Sequence, residues 1–227
     1  MYLLEILQDM GKIFVKYWEV FLLKGVGYTL LLAFIAVFCG TIIGALFAIG
    51  KISRFKPLAW IITAIVEVVR GTPALLQLYI GYFILPMLVP FLDLSAFACV
   101  AVSLTLNSAA YVSEIIRSGI EAVDKGQTEA ARSLGLTSKT TMIGVILPQA
   151  VKNILPALGN EFITVTKETS LASTFFVGEL MTSYLIVKSN TFSTIPSLMI
   201  VGVIYFVLNF ILSKAMKAFE RRLKAHA

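Results

Sequence analysis

Histidine is all but missing from this chain. Its one copy, His226, stands one residue from the C-terminus, which excludes a histidine-based catalytic triad or zinc site inside a folded pocket. Cysteine is nearly as scarce: Cys39 and Cys99 each sit alone in an apolar stretch and read as small buried hydrophobes, not as a metal or disulfide pair. A glycine-rich phosphate loop is absent too, because Gly25-Val26-Gly27 lacks the lysine and hydroxyl residue that such a loop needs. No cofactor is expected on this chain.

Charge is the other shortage. Only 14% of the 227 residues are charged and 58% are hydrophobic, whereas a soluble domain has about 25% charged and about 45–50% apolar residues. Mean hydropathy is +0.89. Residues 25–50, 71–92, 94–113 and 189–213 contain no charged side chain at all. Each run can cross a hydrocarbon layer of about 30 Å, which takes about 20 helical residues.

The charges that remain are clustered, giving a net +6. Lys51, Arg54 and Lys56 follow one apolar run and Lys214, Lys217, Arg221, Arg222 and Lys224 follow another, the pattern of cytoplasmic loops in a membrane protein and not of a nucleic-acid surface. Residues 1–19, with Leu3, Ile6, Met10, Phe14 and Tyr17 at helical spacing among Glu5, Asp9, Lys12 and Lys16, read as an amphipathic interfacial helix. Glu5 and the lack of an early positive region argue against a cleaved signal peptide.

The fold class expected is all-α, a polytopic membrane protein with five spans at about 22–50, 58–90, 94–116, 141–165 and 193–213. Residues 20–217 form the transmembrane domain and 218–227 a basic cytoplasmic tail. Basic loops at both places put the N-terminus outside and the C-terminus inside, which requires an odd number of spans. The stretch 170–187, broken by Gly178 and Glu179, is read as short or re-entrant helices; a sixth span there would misplace one basic cluster.

The second span is interrupted at Gly71-Thr72-Pro73, where Thr72 can cap and Pro73 can start a new helix. Glu67 and Arg70, three residues apart on one face, are expected to pair and brace this break. In the third span Ser103, Asn107, Tyr111 and Glu114 form a polar stripe suited either to helix–helix hydrogen bonds or to lining a cavity. In the fourth, Asn160, Glu161, Thr164 and Glu168 crowd one side, suited to ligand contact or to packing against another chain. Ser103, Asn107, Asn160, Glu161 and Thr164 are the candidate substrate residues.

Between the third and fourth spans, about residues 121–140, lies a polar helix-turn-helix unit. Gln127 to Leu134 are good helix formers, Gly135 suits a left-handed cap, and Thr137 or Ser138 can cap the next helix. DNA-binding units share this outline, but this one carries Glu121, Asp124 and Glu129 and leads directly into a span. A short, rigid, capped loop is suited to transmitting force. Glu129, Ala130, Ala131, Gly135 and Leu136 are its candidate contact residues.

Glu129-Ala130-Ala131, then Gly135, then Ile146-Leu147-Pro148 resemble the coupling loop of bacterial ABC importer permeases. Glu67 to Pro73, Ala110 to Ile120, and Asn160-Glu161 through Leu171 resemble segments of the polar amino-acid uptake permeases in particular. The resemblance runs from about residue 20 to the end. It implies five spans per subunit, a second permease chain, identical or not, two ATP-binding cassette ATPase subunits, an extracytoplasmic amino-acid-binding protein, and a bacterial cytoplasmic membrane location. The function it implies is alternating-access import of polar amino acids, cationic ones included. The alternative is an ion-coupled secondary transporter or channel, which leaves the loop without a partner; a non-transporting scaffold leaves the polar stripes unexplained.

Overall fold

The computed structural model describes residues 2–53 and 55–225; Arg54 and His226, read above for topology and chemistry, lie outside the described residues. All regular structure among these residues is helical. The α-helices are α1 (Tyr2–Trp18), α2 (Gly27–Lys51), α3 (Lys56–Gly71), α4 (Ala74–Leu88), α5 (Ala96–Glu121), α6 (Lys125–Ser133), α7 (Ser138–Thr141), α8 (Leu147–Glu168), α9 (Leu180–Thr191) and α10 (Thr194–Ala225). A π-helical segment, Glu19–Val26, joins α1 to α2, and another, Met142–Ile146, joins α7 to α8.

Four helical stretches are long and apolar enough to cross a membrane, and α3 with α4 makes a fifth if that bent pair counts as one span. Residues 169–191 form a 3-10 segment followed by α9. At about 1.5 Å per residue, the 12 residues of α9 reach about 18 Å, short of the bilayer core. Buried Glu179 caps α9 by accepting from the amides of Met181 (2.6 Å) and Thr182 (2.7 Å).

The centre of the bundle is the α2–α5 contact. Leu32, Ala33 and Ala36 of α2 meet Val100 and Leu104 of α5, with Val165 of α8 closing the cluster. Close approach depends on Gly40 and Gly44, one turn apart on α2: a Cβ at Gly44 would stand 2.7 Å from the Ala109 carbonyl oxygen, and one at Gly40 3.0 Å from Ser108 Cβ. In a bilayer, where lipid competes for apolar surface, small residues that let backbones touch are what hold helices together. α1 packs against α10, where Ile13 joins Phe21, Leu180, Val187 and Val201 in a second apolar cluster.

Candidate functional site

Two regions carry polar groups in unusual number: a cavity beside α5 and α8, and the capped loop that joins those two helices.

The cavity, about 560 Å3, is lined by Arg70 from α3, by Tyr111 and Glu114 from α5 and by Asn153, Asn160, Glu161 and Thr164 from α8, among others. Asn153, Ala157, Asn160 and Thr164 follow one another at helical spacing, so one stripe of α8 faces it. Glu161 sits at the edge of that stripe. It is 9% exposed and its carboxylate accepts from Ser108 Oγ of α5 at 3.0 Å, tying the two helices together.

On the same cavity, Glu114 gathers three cations from three helices. Lys51 hydrogen-bonds its Oε1. Arg117 reaches its Oε2 at 2.9 Å and Arg70 at 3.6 Å. The Arg70 guanidinium also lies over the Tyr111 ring, 5.6 Å from its centroid. The expected Glu67–Arg70 pair is thus not what forms: Arg70 turns to Glu114, and exposed Glu67 makes no ion pair among the described residues. The reason is environmental. A pair between exposed side chains gains little in water, whereas Glu114, at 15% exposure, and the aromatic face offer a drier partner.

Ser103 and Asn107, grouped with this site on sequence, are not among the residues lining the cavity. Asn107 donates to Gln77 Oε1 of α4 at 2.8 Å, and Ser103 Oγ bonds back to the Cys99 carbonyl at 2.8 Å. Both are buried, at 3% and 5% exposure. Ser103 instead borders a separate, mostly apolar groove with Val69, Thr72, Gln77 and Leu106. The polar stripe of α5 therefore divides: Asn107 bonds to α4, Ser103 bonds within α5, and Tyr111 and Glu114 meet the cavity.

The break at residues 71–73 is deeper than a bend, since α3 and α4 meet at 111°. Thr72 does not cap α4 as expected; its hydroxyl donates back to the Val68 carbonyl at 2.9 Å and closes α3. Gln77 does the bridging. Its Nε2 lies 2.6 Å from the Val69 carbonyl and 3.1 Å from that of Thr72, satisfying backbone that the break frees. A lone glutamine four residues past a proline in an apolar run was the available signal.

The loop between α5 and α8 is capped at every end. Asp124 begins α6 by accepting from the Gly126 amide at 2.6 Å. α6 ends with the Gly135 amide on the Arg132 carbonyl and the Leu136 amide on the Ala131 carbonyl, at 3.0 and 3.1 Å, with Gly135 at φ 81 in the left-handed region. This paired pattern is the Schellman stop, for which glycine pays no Cβ penalty. Thr137 begins α7, accepting from the Thr140 amide at 3.2 Å. Glu129, Ala130 and Gly135 are exposed, but Ala131, at 5%, faces its own chain. Leu134, not among the candidate contact residues, stands 83% exposed.

A family profile described as the binding-protein-dependent transport system inner membrane component matches residues 40–225. The chain belongs to that family. It is a multi-pass inner membrane component and a transport subunit, not a catalyst. Relatives include the arginine transport system permease protein ArtQ of Bacillus subtilis, 45% identical over 91% of this chain and 94% of the relative. The putative glutamine transport system permease protein GlnP of Rickettsia bellii is 39% identical over 89% of this chain and 93% of the relative. Among solved structures, one described as an amino acid ABC transporter with histidines matches with TM-score 0.87 and 44% identity over 92% of this chain and 96% of that one. The MetNI methionine ABC transporter, at TM-score 0.71, 21% identity and 89% and 96% coverage, shares the fold.

Proposed function

We propose that this chain is the permease subunit of an ATP-driven importer for polar amino acids, with a preference for cationic ones, and that the cavity between α5 and α8 is its substrate site. The observation that carries the reading is the presence of opposite charges on one cavity: Arg70 from α3, and Glu161 with Asn160 and Thr164 from α8. An amino acid brings an ammonium and a carboxylate, and both must be met once water is removed. Arg70 suits the α-carboxylate, the Asn160 and Thr164 oxygens can accept from the α-ammonium, and Glu161 suits the side-chain cation of a basic substrate. ArtQ, named for arginine transport, supports the cationic preference. Ser103 and Asn107 serve the site indirectly, by fixing α4 against α5.

Glu161→Gln in the assembled transporter, assayed for uptake of arginine, histidine, glutamine and glutamate, should lower kcat/KM for arginine about 10- to 100-fold, the worth of one charge-assisted hydrogen bond. Glutamine and glutamate uptake should change little. An equal fall for all four would make Glu161 a pure helix tie through Ser108, and four unchanged rates would remove it from the site.

The partners that complete such a system are a second permease chain, two ATPase subunits that bind ATP and Mg2+, and an extracytoplasmic binding protein. Residues 125–137 would seat in the ATPase, with Glu129, Ala130, Leu134, Gly135 and Leu136 as the contact residues and Ala131 holding α6 to its own chain. ATP favours one of two states, and the loop conveys that bias to α8. An ion-coupled carrier would have no use for a free-standing loop stopped at both ends.

On this reading the N-terminus lies outside and the C-terminus in the cytoplasm, as the basic clusters favour. Single cysteines at Asp9, Lys125 and Arg222, in a Cys39→Ser, Cys99→Ala background, are the test. An impermeant thiol reagent on intact cells should label position 9 alone. Labelling at 125 or 222 with 9 protected would invert the topology.

A further inference from the structure

We propose that α3 is not half of a membrane span but an interfacial helix lying nearly flat in the headgroup layer, across the end of α2 and against α5, with one flank against hydrocarbon and the other in water.

Its direction follows from α4. Gln77 bonds to Asn107, and Ser103 fills the space that a Cβ at Gly81 would take, so α4 runs antiparallel along α5. α5 is a 26-residue span, so both lie along the bundle axis. The 111° turn between α3 and α4 then leaves α3 21° past a right angle to that axis, close to the membrane plane.

Its depth follows from Glu114. Lys51, the last residue of α2, and Arg70, one residue from the end of α3, both reach that carboxylate. α3 thus finishes at the level where α2 leaves the membrane, although its 16 residues are about 24 Å long. Midway, Ile62 occupies the space a Cβ at Gly50 would need, so α3 crosses the end of α2 there. From Ala96 to Glu114, α5 rises about 27 Å, roughly one hydrocarbon thickness. The crossing lies at the interface.

The helix surface matches that placement. One face, with Ile62, Val66 and Val69, turns to the bundle; Val66 is fully buried. On one side of it lie Leu58, Ile61, Ile65 and Val68, all apolar and 42–64% exposed. On the other lie Lys56, Trp60, Thr63 and Glu67. A spanning helix would show lipid the same apolar character all round its free surface. Two unlike flanks, with a tryptophan at 77% exposure on the polar one, are the mark of a helix lying between lipid and water. The inference holds whichever side of the membrane the basic loop occupies, and whatever the cavity binds.

Spin labels at positions 58, 61, 65 and 68, and at 60 and 67, in the complete transporter reconstituted in phospholipid vesicles, decide it. The four apolar-flank labels should be reached by oxygen at one shallow depth, within about 6 Å of each other given the 21° tilt. Labels at 60 and 67 should be reached by a water-soluble nickel chelate. Deepening by about 15 Å from 58 to 68 would make α3 part of a span, and apolar-flank labels shielded from both reagents would show a second protein chain covering that flank. Independently, Glu67→Cys should react with an impermeant maleimide in opened vesicles; protection there would also overturn the proposal.

Discussion

Gly135→Val is expected to abolish ATP-driven uptake while leaving the chain inserted in the membrane. No atom lies within 4 Å of the position a Cβ would take, so the cost is one of backbone alone: φ 81 must be held by a β-branched residue. A left-handed non-glycine residue costs about 1–2 kcal/mol, more when β-branched, which is enough to unfasten a two-hydrogen-bond stop. The loop would then no longer hold α6 and α7 at a fixed angle. Leu134→Asp probes the contact itself. Its 83% exposure makes the substitution harmless to the isolated fold, yet an apolar side chain seated in a partner groove is worth about 2–3 kcal/mol, so uptake should fall about 30- to 150-fold and the ATPase should no longer co-purify. Glu129→Lys should weaken the same contact by reversing a rim charge. Retention of both ATPase binding and uptake by Gly135→Val and Leu134→Asp would remove this loop from the coupling path.

What could be read in the sequence was what depends on neighbours along the chain. Asp124 and Thr137 accept from amides two and three residues on, and the Gly135 amide donates to a carbonyl three residues back, so residue type and spacing suffice to place a capped turn. Uncharged runs of 20 or more residues likewise announce spans, because the bilayer sets their length. What could not be read depends on register between helices. Arg70 chooses Glu114 over Glu67, although Glu67 is three residues away and Glu114 forty-four, because the choice is made by burial. Ser108 and Asn107 are adjacent, yet one bonds to Glu161 of α8 and the other to Gln77 of α4. Adjacent helical residues point about 100° apart, and only the packed bundle says which neighbour each will meet. The direction of α3 was hidden for the same reason: Gly71-Thr72-Pro73 announces a break, but its angle is set by Gln77, Val69 and the Glu114 cluster.

Glu114→Gln should be the most damaging single substitution in the helix bundle, and more damaging than loss of any one of its partners. The carboxylate is 15% exposed and Lys51 13%, while Arg70 and Arg117 are about 40% exposed. Removing one side of a largely desolvated pair leaves the other charged and unmatched, at about 3–5 kcal/mol. Here part of that is relieved, because both arginines can turn to water and Arg117 keeps Glu121 at 2.6 Å. A destabilisation of about 3 kcal/mol is the expected result, carried mainly by Lys51, which has little water to turn to. Arg117→Gln removes an exposed partner and should cost under about 1 kcal/mol. Unfolding of the purified protein in mixed detergent, followed as loss of helical signal, ranks the variants. The double variant Lys51→Met, Glu114→Gln should recover most of the loss, since no buried cation is then left without a partner. Equal midpoints for Glu114→Gln and Arg117→Gln, or no recovery in the double variant, would mean that Glu114 does not hold the ends of α2, α3 and α5 together.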